Sequence, residues 1–296
     1  MDAPPTPLRV HLILLAGQVC FASLPVAGRL AMTGHGKLPA AGIVLVRVIG
    51  GALAFSLVAW RRGTLRMAWR DVPFLVLCAA LGIAANQELF LHGLARSTAT
   101  NASVLGATIP VFTALAALAL RHEPARARRL IGIAIAFAGA AALVGAESLS
   151  TSSEHLVGSA MVLANSLCYG AYLVIVRPLA TRYDPIALLA FLFIAGVPMV
   201  APLGVHAWAT SERPLDSGDV AFLAFLILVP TLGAYSLVQI ALRRAEASLV
   251  AAYIYLQPLF ATLGAMLLLD ERPTVRLAGC GAIILGGVWL ATRARA

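Results

Sequence analysis

Ten stretches of about 20 mainly apolar residues fill nearly all of this 296-residue chain, and such stretches are long enough to cross a bilayer. They run roughly over 11–30, 39–60, 72–94, 100–120, 130–146, 156–177, 185–206, 219–241, 248–268 and 276–292. Hydrocarbon offers no water to a peptide N–H or C=O, so each run must satisfy its backbone as a helix or in a closed barrel. The alternation of barrel strands is absent. The sequence therefore predicts an all-α membrane protein with ten transmembrane helices, mostly joined by short connections that make neighbours antiparallel. Only 12% of the residues are charged, against about 25% in a soluble domain.

The net charge of +9 comes from 22 basic residues, of which 21 are Arg. They sit in short clusters between apolar runs and form no Arg/aromatic face, so nucleic acid is not an expected partner. With the N-terminus inside, the inner segments hold 15 basic residues and the outer segments 6; Arg47 is left within a span. This excess places both termini in the cytoplasm. The opening MDAPPTPLRVH lacks a cleavable-signal pattern, so the first run is expected to remain as a span.

The polar break ESLSTSSEHLVG, Glu147 to Gly158, leaves five spans on each side. It is also the seam of a repeat. Cys20 and Cys168, Arg29 and Arg177, Pro110 and Pro258, and Glu123 and Glu271 all match 148 residues apart. After one deletion Gly132 matches Gly279 and Gly139 matches Gly286. The expected units are 1–147 and 148–296. Five is odd, so the second unit enters the membrane in the opposite sense. Inverted repeats are a common construction of secondary transporters, with the substrate site near the midplane between halves.

The stretch NQELFLHGLARSTATNASVLGATIPVFTALAALALRHE carries an Asn-Gln pair, a Gly-Leu, a Thr-Ala, a Pro and a closing Glu. ALRRAEASLVAAYIYLQPLFATLGAMLLLDE repeats it more loosely. In these features the chain resembles the EamA-type members of the drug/metabolite transporter superfamily, which have ten helices in two five-helix repeats. The resemblance covers essentially the whole chain. It implies a cavity lined mainly by helices 1, 3, 4, 6, 8 and 9 that opens alternately to each side. It says little about the substrate.

Several residues in the spans could line such a cavity. Glu88 and Arg47 lie at similar depths below the outer surface, and each buried charge needs a partner, so an Arg47–Glu88 ion pair is the simplest expectation. Their repeat equivalents, Ser236 and about Ala195, are uncharged, so the fold itself does not require the charges. Asn86, Gln87, Asn101, Asn165, Gln239 and Gln257 could contact substrate or hydrogen-bond between helices. Tyr169, Tyr172, Tyr235, Tyr253 and Tyr255 fall on second-half helices; the first half has no Tyr. They could form an aromatic wall suited to an apolar, aromatic or cationic solute, or simply pack. Pro25, Pro110, Pro198, Pro230 and Pro258 are expected to bend their helices. Small residues crowd helices 5 and 10 and allow close packing within one chain or between two, which leaves a homodimer open.

No cofactor is expected. The four Cys lie in apolar runs without metal-ligand spacing, His11, His35, His92, His122, His155 and His206 are scattered near span ends, and no P-loop pattern appears. The expected partners are the lipid bilayer and a small-molecule substrate. The expected function is secondary transport, as export, of a small organic metabolite, amino acid-like or related, by alternating access in a bacterial inner membrane. A membrane-embedded enzyme would need a constellation of acids, bases or metal ligands at one depth, and Arg47 with Glu88 does not make one. A non-transporting scaffold is the other alternative. The charge asymmetry predicts that a Cys introduced at Ser152 reacts with an impermeant maleimide in intact cells. Reaction only after the membrane is opened would overturn the inverted topology.

Overall fold

The computed structural model describes residues 8–33, 37–120, 127–150, 153–211, 213–245 and 247–292. Arg121, Arg126, Arg293 and Arg295, counted above among the inner basic residues, and His35, His122, Glu123 and Ser152 lie outside the described residues. Helices α1 (Leu8–Thr33), α2 (Ala40–Arg61), α3 (Trp69–Ala95) and α4 (Ala99–Ala119) are followed by α5 (Ala127–Ser150). Then come α6 (Ser153–Ile175), α7 (Pro185–Ala209), α8 (Ser217–Leu242), α9 (Leu249–Leu268) and α10 (Val275–Thr292). A short helix, Arg177–Arg182, joins α6 to α7. Among the described residues there is no strand. Eight of these helices are long and apolar enough to cross a membrane. In α5 and α10 the apolar stretches are shorter, Leu130–Ala140 and Val275–Gly287.

The helix ends find local partners. Asp184 caps α7, accepting from the backbone N–H of Ile186 (3.0 Å) and Ala187 (3.1 Å), with Pro185 at the first position. Asp216 and Asp219 form a capping box at α8. The Asp219 backbone N–H, assisted by Arg213, holds the Asp216 carboxyl below the ordinary carboxylate range. Beyond α9, Asp270 takes a left-handed conformation (φ 53°) and the Glu271 N–H returns to the Ala265 carbonyl at 3.2 Å. That turn delivers the Glu271 carboxylate to the start of α4. It accepts from the N–H groups of Ala99 (2.8 Å) and Thr100 (2.9 Å) and from the Thr100 hydroxyl (2.6 Å). Glu271 thus clamps one half of the chain to the other.

Helical breaks recur at the spacing of the sequence repeat. A π-turn at Ala80–Ala85 interrupts α3, and another at Leu228–Gly233 interrupts α8, 148 residues later. Helix α4 breaks between Gly106 and Ile109, and α9 breaks at Tyr253–Leu256. Pro110 and Pro258 follow those breaks and lack the N–H that would return to Gly106 and Ile254.

The two most extensive helix contacts join α2 to α7 and α5 to α10, each pair being related by the repeat. Both pairs run antiparallel. Gly42 lies against Trp208, whose Nε1–H donates to the Gly42 carbonyl at 3.1 Å, while Gly51 lies against Phe193. In the other pair Gly139 faces Ile283 and Ile284, and Gly287 faces Ala136 and Gly132. The small residues of α5 and α10 therefore serve contacts within the chain. A Cβ on Gly287 would lie 2.4 Å from the Ala136 backbone nitrogen, and one on Gly51 would lie 2.4 Å from the Phe193 ring. Gly51→Ala is expected to lower thermal stability in detergent by about 1–3 kcal/mol, with partial recovery when Phe193→Leu is added. Unchanged melting of Gly51→Ala would mean that this close approach is not required.

Candidate functional site

The breaks in α3, α4, α8 and α9 surround a cavity. Its construction starts from Pro230, which has no N–H to return to Leu226 four residues back. The Thr231 hydroxyl takes that carbonyl at 2.8 Å. The same hydroxyl oxygen accepts from Arg47 Nε at 2.9 Å, which fixes the guanidinium of α2 beside the π-turn of α8. From the other side, the Tyr235 hydroxyl of α8 lies 3.2 Å from both the Gly82 carbonyl, inside the π-turn of α3, and Asn86 Oδ1. It can donate to either. Asn165 Nδ2 of α6 donates to the Asn86 carbonyl at 2.8 Å.

The cavity is lined by Arg47, Asn86, Gln87, Asn165, Tyr169, Tyr235 and Gln257 together with Phe21, Phe90 and Ser103. Apolar lining from α1 and α4 completes it. Helices α1, α2, α3, α4, α6, α8 and α9 contribute, which adds α2 to the six implied by the resemblance. Three pairs of lining residues are repeat equivalents 148 positions apart: Phe21 with Tyr169, Gln87 with Tyr235, and Ile109 with Gln257. Phe21 stands edge-on to both Tyr169 and Tyr235, with ring centroids 6.2 and 5.4 Å apart. The open volume is about 60 Å³, well below the roughly 300–1,000 Å³ of an ordinary small-molecule pocket. The cavity is narrow in this structure.

Four polar atoms of the lining have no well-formed hydrogen bond within the protein. They are Arg47 Nη1, Gln87 Nε2 and Oε1, and the Tyr169 hydroxyl. Arg47 and Gln87 are 1% and 2% exposed. The Gln87 amide approaches the Tyr235 hydroxyl without good hydrogen-bond geometry. Among the described residues, Arg47 is the one charged residue of the lining.

The remaining sequence candidates lie elsewhere. No ion pair joins Arg47 to Glu88. The Glu88 carboxylate instead sits 3.1 Å from His92 Nδ1, one helical turn along α3. The one-residue step from Gln87 to Glu88 turns the side chain by about 100° around the helix, so matching depth did not imply contact. Asn101 Nδ2 donates to Ser97 Oγ (2.8 Å) and Ser159 Oγ (3.1 Å), tying α4 to α6. Gln239 Nε2 donates to the Tyr172 hydroxyl. Tyr253 meets His11 through its hydroxyl. Sequence reasoning missed Phe21, Phe90, Ser103, Thr231 and Gln18. Gln18 had a legible signal: it is an amide within an apolar run, it is 1% exposed, and it accepts from Gln257 Nε2 at 2.6 Å.

A larger groove of about 580 Å³, lined by residues such as Val19, Val26, Phe222, Phe225 and Phe260, runs between α1, α8 and α9. Ser23 is its sole hydroxyl, and it already donates to the Cys20 carbonyl at 2.7 Å. In a bilayer such a surface suits acyl chains and offers nothing to orient a polar solute.

The EamA-like transporter family matches the chain twice, over residues 8–145 and 156–293. The protein belongs to this family. It is an integral membrane protein whose two family units are offset by 148 residues, the spacing of the helical breaks. A probable terminal-alkyne amino-acid exporter of Streptantibioticus cattleyicolor is 30% identical over 93% of this chain and 90% of its own. An uncharacterized transporter of Archaeoglobus fulgidus is 29% identical over 83% of this chain and 84% of its own. A solved crystal structure shares the fold with a TM-score of 0.69, at 21% identity over 96% of this chain and 97% of that one.

The two buried tyrosine hydroxyls should respond oppositely to removal. Tyr235→Phe is expected to cost about 0.5–1.5 kcal/mol, the worth of an ordinary hydrogen bond. Tyr169→Phe removes a buried hydroxyl without a partner and should leave melting unchanged or raised. A larger loss from Tyr169→Phe than from Tyr235→Phe would reverse the assignment.

Proposed function

We propose that the protein is a secondary transporter that exports a small amino acid-like metabolite from the cytoplasm by alternating access. The observation that carries this reading is the narrow cavity between the family units, lined from both by rings and amides and from the first by a cation. Its ten helices would cross a bacterial inner membrane as two inverted five-helix repeats, 1–147 and 148–296, with both termini cytoplasmic. Antiparallel packing of repeat-related helices supports the inversion, because a two-fold axis in the membrane plane reverses each helix onto its equivalent. The name of the Streptantibioticus cattleyicolor relative supports an amino acid-like cargo and the outward direction.

Access would alternate by loosening one end at a time. At the proposed outer end, Glu271 holds the start of α4 and Asn101 holds Ser159. At the proposed inner end, His11 meets Tyr253. These contacts, and those of Asp71 with Arg182 and Tyr183 at the inner end, are polar, so water can replace either set as that end opens. Proteoliposomes loaded with radiolabelled L-norvaline, L-phenylalanine or L-propargylglycine should show saturable efflux above protein-free vesicles, and Tyr169→Ala should weaken it. Flux equal to that of protein-free vesicles for a broad amino-acid and metabolite panel would refute the reading.

A further inference from the structure

We infer that Arg47 anchors the carboxylate of the transported solute, so that the site selects small apolar monocarboxylates of the α-amino acid type. The inference rests on the transporter reading for its role, but its binding chemistry can be tested without transport. An Arg guanidinium stays protonated in proteins, and a buried cation requires a counter-charge or a full set of acceptors. Arg47 has one protein acceptor, Thr231 Oγ1, and its Nη1 has none. Among the described residues no carboxylate lines the cavity, and Glu88, the acid expected to pair with Arg47, is turned to His92. Thr231 uses the Nε position and sets the plane of the guanidinium. The terminal edge is then left for an anion, and planar carboxylates fit that edge best.

The rest of the lining narrows the class. Gln87 places a free donor and a free acceptor in the same cavity, one able to join the carboxylate and the other to receive an ammonium. Phe21, Phe90, Tyr169 and Tyr235 offer ring surface to an apolar side chain. A cationic solute would meet Arg47 with no acid to offset it. The aromatic wall, which by itself would admit organic cations, is therefore closed to them by charge. Dicarboxylates would bury a second negative charge with no second cation in the lining.

The test compares acids with their amides on purified full-length protein in detergent. L-Norvaline, L-phenylalanine and L-propargylglycine are titrated against their primary amides, with acetate and chloride as bare-anion controls, and thermal stabilisation is converted to affinity. At least one acid should bind about tenfold or more tighter than its amide. Arg47→Met should abolish that ratio, and Arg47→Lys should keep part of it. If Arg47→Met does not fold, Thr231→Val keeps the charge and should reduce the ratio by releasing the guanidinium plane. Equal binding of acids and amides, no stabilisation by any acid, equal effects of chloride or acetate, or an unchanged ratio in Arg47→Met would each overturn the inference. Acid binding without flux would count against the transporter reading alone. Flux of amines or amides without acid binding would count against this inference alone.

Discussion

A peptide carbonyl in hydrocarbon has no partner except its own chain, and the site follows from where that rule is strained. Pro230 withholds an N–H from Leu226, Thr231 supplies a hydroxyl instead, and that hydroxyl has capacity left to hold Arg47. The π-turn of α3 presents the Gly82 carbonyl to Tyr235 in the same way. Breaks in a transmembrane helix are tolerated where they line a cavity or are buried in protein. Here the breaks supply the acceptors that keep a cation and a phenol oriented in an apolar interior. A regular α8 would have no reason to hold Thr231 toward α2, and Arg47 would lose its support.

The scaffold is duplicated, but the chemistry is not. Phe21 and Tyr169 occupy one repeat position, and Gln87 and Tyr235 another, so the cavity lies where equivalent surfaces meet. On the proposed axis, any residue projects toward its own counterpart. Identical copies would therefore put like groups face to face, two cations or two amides. Divergence removes that conflict: Arg47 corresponds to about Ala195 and Thr231 to Ile83. The backbone pattern of π-turns and proline breaks is preserved at both positions, while polarity is kept on one. A solute bound there has a defined head and tail despite the symmetry of the helices around it.

The helices were legible because their cause is local: long apolar runs leave a bilayer-spanning backbone one practical solution. Three of the four helical breaks lie beside or around a proline, Pro110, Pro230 or Pro258, while the π-turn of α3 has none. The repeat was legible because Pro and Gly mark backbone geometry. The site was legible in part. Arg47, Asn86, Gln87, Asn165, Tyr169, Tyr235 and Gln257 stood out as polar or aromatic residues in apolar surroundings. Their grouping depends on which face each helix turns inward, and weak amphipathicity in a buried bundle hides that. Glu88 shows the consequence, being one residue from Gln87 yet paired along its own helix. Phe21 and Phe90 were illegible because a Phe in a membrane span looks the same toward lipid as toward a cavity. The clamp by Glu271 joins residues more than 170 positions apart and had no local signature beyond an acid near a helix end.

The narrowness of the cavity also bears on how such a carrier would return without cargo. Its lining leaves Arg47 Nη1, both polar atoms of Gln87 and the Tyr169 hydroxyl to be satisfied by something other than protein. A volume of about 60 Å³ is several times the roughly 10–15 Å³ that one water requires, and each water can make about three hydrogen bonds. A few waters therefore offer more bonds than the four open atoms need. Closure without cargo is then affordable in hydrogen bonds, though water lacks the charge to neutralise Arg47. The cost that remains is electrostatic, and an anionic solute removes it. Cargo would thus favour the closed form without being indispensable to it. That is the energetic arrangement a carrier needs if it is both to move its load and to come back alone.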